Sequence, residues 1–205
     1  MTVKRLICPI CTRPERNCIC ALAISIANQV EVLILQHPEE SLNAKNTAGL
    51  LHLCLKNSQI HIGEAFNPKI LNECLNADGK HSLLLYPHIP EYKSLGLAAP
   101  QPSAALNQTD FGQLRLVVID ATWRKSRKML YLNPDLQRLP RLELAETPAS
   151  IYKIRKAHSE NQLSTLEASC YALQQLERKQ VDYAPLLQAM SLFVEQQRAF
   201  IPDQT

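Results

Sequence analysis

Four cysteines near the start of the chain have the number and spacing of a metal site. They lie in CPICTRPERNCIC as two close pairs, Cys8 with Cys11 and Cys18 with Cys20. Four thiolates in so short a segment match the tetrahedral ligand set of structural zinc, which leaves no open position on the metal. The sequence therefore predicts a structural zinc ion. A cluster of structural thiols and a redox C-x-x-C pair are the alternatives, and the latter is disfavoured because no strand–helix pattern surrounds Cys8 and Cys11.

A second candidate site lies in LVVIDATWRKSRKML, from Leu116 to Leu130, where a buried-strand pattern runs into an aspartate and the chain's only tryptophan. Asp120 stands at the predicted carboxyl end of the strand, and open α/β sheets bind their ligands at that edge. Asp120 can instead cap the following helix, and Trp123 can pack the first turn of that helix against the sheet. When each residue is considered alone, the structural role is a better explanation than ligand binding.

Two shorter motifs carry similar ambiguity. Ser164-x-x-Glu167 has the form of a helix capping box, in which both side chains satisfy free backbone N–H groups. A helix start with free N–H groups also binds carboxylates and phosphates readily, so capping and ligand binding are compatible there. His37-Pro38, directly after the first predicted strand, is by itself typical of a turn.

Positive charge is concentrated between Arg124 and Lys156. This segment contains nine lysines and arginines against three acids, a local net charge of +6 in a chain whose total is +3. A concentrated cationic patch suggests a polyanionic partner such as RNA. A solvated basic surface is the alternative that charge alone leaves open.

The elements that must position these residues alternate between strand and helix. This alternation predicts an α/β fold with a mostly parallel sheet flanked by helices. Strands are predicted at 30–36, 59–63, 81–86, 114–120 and 142–144, and helices at 44–56, 67–76, 122–132 and twice in the last third. The stretch 87–112 holds four prolines and is predicted to be a long loop.

Composition places the chain among ordinary globular proteins of the cytoplasm. Its 205 residues are 46% hydrophobic and 20% charged, with no run long enough to span a membrane and no signal peptide. In a reducing compartment the seven cysteines do not form a disulfide framework, and Cys54, Cys74 and Cys170 are predicted to be small core residues. We expect a zinc-binding segment over residues 1–21 and a larger domain over 22–205.

Several motifs in register resemble those of the DTW-domain family. The Asp-x-Thr-Trp signature follows a hydrophobic strand, as the family requires. The resemblance rests on the cysteine spacing with Pro14, on His37-Pro38-Glu39-Glu40, on Asn46-Thr47, on Asp120-Ala121-Thr122-Trp123 and on Ser164-Thr165-Leu166-Glu167. Each motif is weak alone, but their common order is specific and spans most of the chain.

The resemblance implies a tRNA-uridine aminocarboxypropyltransferase of the bacterial branch, with a fold related to the knotted SPOUT methyltransferases. Such enzymes transfer the 3-amino-3-carboxypropyl group of S-adenosylmethionine to N3 of a tRNA uridine and release 5′-methylthioadenosine. The implied partners are tRNA and S-adenosylmethionine, and no oligomeric state is predicted. The resemblance assigns cofactor binding to His37, Pro38, Thr122, Trp123, Ser164 and Thr165.

The chemistry of this reaction gives the polar residues roles. Uridine N3 must lose its imide proton before it attacks carbon, so a carboxylate is expected as general base, with Asp120 the first choice and Glu167 the second. Trp123 can stack on an unstacked base, as aromatic side chains often do in RNA recognition. The residues expected to hold RNA phosphates are Arg124, Lys125, Arg127, Lys128 and Arg155.

Two other functions compete with this one. An S-adenosylmethionine-dependent RNA methyltransferase needs the same donor, and only the family motifs disfavour it. A non-enzymatic zinc-bearing RNA-binding module explains the cysteines and the cations, but it leaves the acidic motif residues without a task.

Overall fold

One parallel sheet organises the chain. The structure is a computed structural model, and it describes residues 6–87, 96–97, 100, 110–144, 148–150 and 163–200. The strands are β1 (Glu31–Gln36), β2 (Ser58–Ile62), β3 (His81–Leu85), β4 (Leu114–Asp120) and β5 (Arg141–Leu142). They pair in the order β2-β1-β4-β3-β5, and every pairing is parallel. The predicted α/β class with a parallel sheet is confirmed.

Seven α-helices occur in the described part of the chain. They are α1 (Pro38–Ser41), α2 (Ala48–Cys54), α3 (Pro68–Asn76), α4 (Trp123–Leu132), α5 (Pro134–Arg138), α6 (Thr165–Leu176) and α7 (Ala184–Arg198). Among the described residues, no helix is both long and apolar enough to cross a bilayer.

The helices cover both faces of the sheet, which explains the unbroken apolar runs of the central strands. Alternate residues of a strand point to opposite faces. Val32 and Leu116 therefore join one core, shared with α2, α6 and α7, while Leu33 and Val117 join a second core shared with α3, α4 and α5. Every residue of β1 is buried.

A buried ion-pair network closes the amino edge of the sheet. Arg115 donates from Nε to Glu31 Oε1 at 3.1 Å and from Nη2 to Glu31 Oε2 at 3.0 Å, and Lys80 Nζ lies 2.7 Å from Oε2. Arg115 also donates to the carbonyl oxygens of Leu75 and Ala77. Burial alone would raise the pKa of Glu31, but the hydrogen bonds from Arg115 and Lys80 lower it.

Several elements differ from the sequence prediction, and the short helices α1 and α5 were not predicted. The helix predicted from residue 44 begins at Ala48, because Asn46 Oδ1 accepts the Ala48 N–H at 2.9 Å and a separate short helix, α1, precedes it. The predicted strand at 142–144 is observed as Arg141–Leu142, a short strand that pairs with β3. Most of the predicted loop at 87–112 lies outside the described residues.

Candidate functional site

The carboxylate of Asp120 is the centre of a buried hydrogen-bond network at the carboxyl edge of the sheet. Oδ2 accepts from Gln36 Nε2 at 2.8 Å and from Asn46 Nδ2 at 2.6 Å. Oδ1 accepts from the Thr165 hydroxyl at 2.6 Å. Asp120 is only 4% exposed. One carboxylate therefore joins β1, the turn before α2, β4 and the start of α6.

The amide orientations in this network are fixed by their neighbours. The backbone N–H of Ala48 can only donate, so Asn46 must present Oδ1 to it and Nδ2 to Asp120. Gln36 Nε2 also donates to Asn46 Oδ1, at 3.1 Å, which fixes the glutamine amide in the same way. Both amides are therefore donors to Asp120 Oδ2.

A cleft of about 600 Å³ opens beside this network. This volume lies within the usual range for small-ligand sites. It is formed at the carboxyl ends of β3, β4 and β5 and the amino end of α6. The walls are mainly apolar, and the lining residues that carry polar groups include Tyr86, Trp123, Ser126, Glu143, Ser164 and Thr165. Thr165 lines the cleft, whereas Asp120 is not among its lining residues.

Trp123 forms part of the cleft wall and is 48% exposed. Its ring meets Tyr86 edge to face, with centroids 5.7 Å apart. The Tyr86 hydroxyl hydrogen-bonds to Ser126 Oγ at 3.0 Å, and the Arg141 guanidinium lies over the Tyr86 ring at 5.4 Å. Burial raises the pKa of Tyr86, so its hydroxyl stays protonated. Tyr86 holds the indole, yet nothing in the sequence motifs singled it out.

The predicted capping roles are resolved by the helix starts. Thr122, not Asp120, caps α4, so the alternative in which Asp120 caps that helix is wrong. Ser164 and Glu167 form the predicted capping box at α6, with Ser164 Oγ accepting the Glu167 N–H and Glu167 Oε2 accepting the Ser164 N–H. Glu167 is fully buried, and its carboxylate also accepts from the Ser150 hydroxyl.

His37 and Pro38 lie at the carboxyl end of β1 but are not among the residues that line the cleft. His37 Nδ1 accepts the Glu39 N–H at the start of α1, and Nε2 lies 3.1 Å from Glu64 Oε1. The backbone N–H of His37 donates to the carbonyl oxygen of Asp120 at 3.0 Å. His37 therefore ties α1 to the strand end that carries Asp120.

Ion pairs engage two of the cations on α4. Lys125 Nζ lies 2.8 Å from Glu39 Oε2, and Lys128 Nζ lies 2.9 Å from Glu64 Oε2. Arg124 is exposed, while Arg127 is half-buried near Tyr86. Arg155, the fifth predicted RNA-binding residue, lies outside the described residues.

The four N-terminal cysteines converge as predicted. All four Sγ atoms lie within 4.8 Å of one another, with Cys8 to Cys20 and Cys11 to Cys18 both at 3.7 Å. Zn–S bonds of about 2.3 Å place tetrahedral ligands about 3.8 Å apart, so the cluster fits a zinc ion. Hydrogen bonds from the backbone N–H groups of Cys11 and Ile10 lower the pKa of Cys8 to about 6. The predicted grouping of these cysteines is thus confirmed as one compatible with zinc.

Arg13, between the two cysteine pairs, ties this cluster to the larger body. Its guanidinium donates to the carbonyl oxygens of Ala44 and Asn46 at 2.6 and 2.7 Å. It also lies over the Phe193 ring at 5.2 Å. The cluster is thus attached to the turn that supplies Asn46 to Asp120.

A parallel α/β sheet with a ligand-sized cleft at its carboxyl edge defines the chain as an α/β protein of the kind that binds small ligands at this edge. The buried network around Asp120 and the four-cysteine cluster contain residues of the motifs that resemble the DTW-domain family. Residues 5–198 match the DTW domain, and the chain belongs to the DTW domain family.

Curated relatives share a common description. The chain is similar to tRNA-uridine aminocarboxypropyltransferase 2 of Macaca fascicularis, with 27% identity over 195 residues, covering 91% of this chain and 62% of the relative. The protein of the same name in Drosophila melanogaster is 31% identical over 186 residues, 86% of this chain and 68% of the relative. For tRNA-uridine aminocarboxypropyltransferase A of Arabidopsis thaliana the identity is 28% over 138 residues, 62% of this chain and 51% of the relative. The matched region thus spans about half to two thirds of these relatives, and no solved structure matches.

Proposed function

We propose that this chain is a tRNA-uridine aminocarboxypropyltransferase. It transfers the 3-amino-3-carboxypropyl group of S-adenosylmethionine to N3 of a tRNA uridine, and 5′-methylthioadenosine is the by-product. The observation that carries the proposal is the hydrogen bond to Asp120 from Thr165, which lines a largely apolar cleft. The family match and the names of the relatives support the same reaction.

The cleft is the proposed seat of the sulfonium donor. Its volume and its largely apolar walls suit the adenosine and the methylene groups of that molecule. Trp123, Ser164 and Thr165 line it and are the residues that we expect to touch the donor. Thr122, His37 and Pro38 act indirectly in this proposal. They start α4 and α1 just after β4 and β1, the strands that end at Asp120 and Gln36.

Asp120 is the proposed general base. Its carboxylate reaches the cleft through a cleft-lining hydroxyl, which supports it over Glu167. The Glu167 carboxylate accepts from the backbone N–H of Ser164, the N-cap of its own helix, and from the Ser150 hydroxyl. Glu167 is not among the cleft-lining residues. We therefore assign Glu167 to holding the start of α6 and Thr165 in place.

The RNA is proposed to approach along α4. Trp123 presents an exposed indole for base stacking, and Arg124 follows it on the same exposed turn. Lys125 and Lys128 are paired with acids, so phosphate contacts by these lysines must compete with Glu39 and Glu64. Arg127 and Arg155 complete the proposed phosphate-binding set.

Further features belong to the same proposal. The proposed zinc-binding segment covers residues 1–21, and the proposed catalytic domain covers residues 22–205. The strand order β2-β1-β4-β3-β5 supports a relationship of this domain to the knotted SPOUT domains. A four-thiolate zinc site needs reduced cysteines, which supports action in the cytoplasm.

The by-product and the modified nucleoside test the proposal together. The purified chain is incubated with S-adenosylmethionine and unmodified tRNA, and the mixture is resolved by chromatography and mass spectrometry. We expect 5′-methylthioadenosine in step with a uridine that has gained an aminocarboxypropyl group. S-adenosylhomocysteine in step with a methylated nucleoside would assign the chain to the methyltransferases instead. Donor-independent tRNA binding with neither product would indicate a binding module.

A further inference from the structure

Asp120 carries the carboxylate assigned as the general base, but Asp120 is not among the residues that line the cleft. It is buried, and both carboxylate oxygens are engaged by internal donors. Thr165 is the one of these three donors that also lines the cleft. Any proton exchanged between a cleft ligand and Asp120 therefore has its shortest path through the Thr165 hydroxyl.

We propose that Thr165 is a catalytic residue that relays the imide proton of uridine to Asp120. The inference rests on the proposed function, because it concerns the proton that N3 must lose. In the resting site Thr165 donates its hydroxyl hydrogen to Asp120 Oδ1 across 2.6 Å. Its oxygen lone pairs are then free of that bond and available to accept an N–H from the cleft side.

The amide groups around Asp120 decide which oxygen takes the proton. Gln36 and Asn46 both present N–H groups to Oδ2, as their other contacts require. A proton on Oδ2 would face two donors and lose both hydrogen bonds. Among the described residues, the donor to Oδ1 is a hydroxyl, which can turn from donor to acceptor. The arriving proton is therefore directed to Oδ1, the oxygen bonded to Thr165.

The transfer balances without any further reactant. The imide proton moves from N3 to Thr165 Oγ while the Thr165 hydroxyl proton moves to Asp120 Oδ1. The electron pair left on N3 forms the new N–C bond, and the C–S bond of the sulfonium donor breaks with its electrons remaining on sulfur. After the product leaves, the proton returns from Asp120 through Thr165 to water entering the cleft.

The test compares variants at position 165 in single-turnover reactions with S-adenosylmethionine and tRNA. Thr165→Val keeps the shape and removes the hydroxyl, and we expect its rate to fall by roughly 10²- to 10⁴-fold, the usual range for a lost proton-transfer group. Thr165→Ser keeps the hydroxyl and should stay within about tenfold of wild type. Because Thr165 also lines the donor cleft, the rates are compared at saturating donor, and donor affinity is measured separately by calorimetry.

A pH series separates a relay from a packing defect. The uridine imide loses its proton unaided at alkaline pH, so the deficit of Thr165→Val should shrink as pH rises. A packing defect would persist at every pH. Thr165→Ala, which is smaller and keeps the helix start, should show the same alkaline recovery if Thr165→Val does not fold. Ser169→Ala, which removes a buried hydroxyl one turn later that donates to the Thr165 carbonyl oxygen, is the matched control and should be unaffected.

Each outcome bears on a different claim. Near-normal turnover by Thr165→Val at neutral pH, or a loss that is independent of pH, would overturn the relay and leave the proposed function standing. A wild-type chain that makes no aminocarboxypropyl product would overturn the proposed function and the relay with it.

Discussion

Gln36 and Asp120 are register partners at the carboxyl ends of β1 and β4, and the Gln36 amide donates to Asp120 Oδ2 at 2.8 Å. The two residues are 84 positions apart in the chain and meet only because the strands pair in parallel. A register slip of one residue would turn one of these side chains to the other face of the sheet. The candidate site and the central strand pairing are thus one structure.

Asp120→Asn should separate the chemical role of this residue from its structural role. The side-chain oxygen of the new asparagine can still accept from Gln36 and Asn46, but its NH₂ group must then face Thr165. The Thr165 hydroxyl would accept a hydrogen bond from this NH₂ group and could no longer pass a proton to position 120. We expect turnover to fall by roughly 10²- to 10⁴-fold. Stability should fall by only about 1–2 kcal/mol, since a charged acceptor becomes a neutral one. Single-turnover rates and urea unfolding measure the two effects.

Glu167→Gln is the companion variant. Glutamine is also accepted in a capping box, so the start of α6 should be preserved. We expect turnover to remain within about tenfold of wild type because this carboxylate holds a helix end and does not touch the cleft. A severe loss in Glu167→Gln with little loss in Asp120→Asn would reverse the assignment of the base.

Loss of one zinc ligand should release the metal. Cys18→Ser should lower the metal content from one zinc per chain to near zero, measured by elemental analysis. Structural zinc contributes about 10–16 kcal/mol to the folding of small zinc fingers. In this larger chain we expect only the cluster to unfold locally. The melting temperature should then fall by roughly 5–10 °C, which corresponds to about 3 kcal/mol in the free energy of unfolding for a chain of this size. Cys74→Ser, a half-buried thiol outside the cluster, is the control and should retain the metal.

Removing cations from α4 should weaken tRNA binding. Arg124→Ala combined with Lys128→Ala changes two residues one helical turn apart, and it should reduce the slope of log affinity against log salt by about one unit per lost phosphate contact. Lys179→Ala is the control, because Lys179 is exposed beyond the opposite end of α6. If tRNA affinity and its salt dependence are the same in the wild type, the double variant and Lys179→Ala, the cations of α4 are only a solvated surface.

Acid should weaken the fold through Glu31. Arg115 and Lys80 hold its folded pKa below the ordinary value of 4.5, so its stabilising effect is present above that pH and is lost as pH falls through the folded pKa. Glu31→Gln leaves Arg115 buried without its carboxylate and should cost about 3–5 kcal/mol near neutral pH. Urea unfolding at several pH values should also show a flatter acid limb in the variant. An unchanged acid limb would mean that other carboxylates govern acid unfolding.

Sequence patterns predicted the strands well because a parallel sheet covered on both faces demands long apolar runs, as in β1 and β4. The capping box at Ser164 was also readable, since its hydrogen bonds are local. The short helix α1 was not predicted. It depends on His37 accepting the Glu39 N–H, a cap that propensity does not anticipate.

The site itself was predictable only in part. Asp120 and Thr165 were singled out by their motifs, but the pattern could not show that they touch across 45 positions. Tyr86 was missed because a tyrosine after an apolar strand has no motif of its own. The partners of the α4 lysines were missed too, since Glu39 and Glu64 follow other strands and meet α4 only in the folded sheet.

The position of Arg13 has a thermodynamic consequence. Its guanidinium spans from the cysteine cluster to the carbonyl oxygen of Asn46, whose side chain contacts Asp120. Because one residue joins the two regions, we expect occupancy of the cluster and order at the cleft to be linked equilibria. Linkage is reciprocal, so if metal binding tightens the cleft for its ligand, the ligand must slow metal loss by the same free energy. A chelator would then strip the protein more slowly when the cleft is filled, and oxidants that attack the thiolates would act as remote inhibitors.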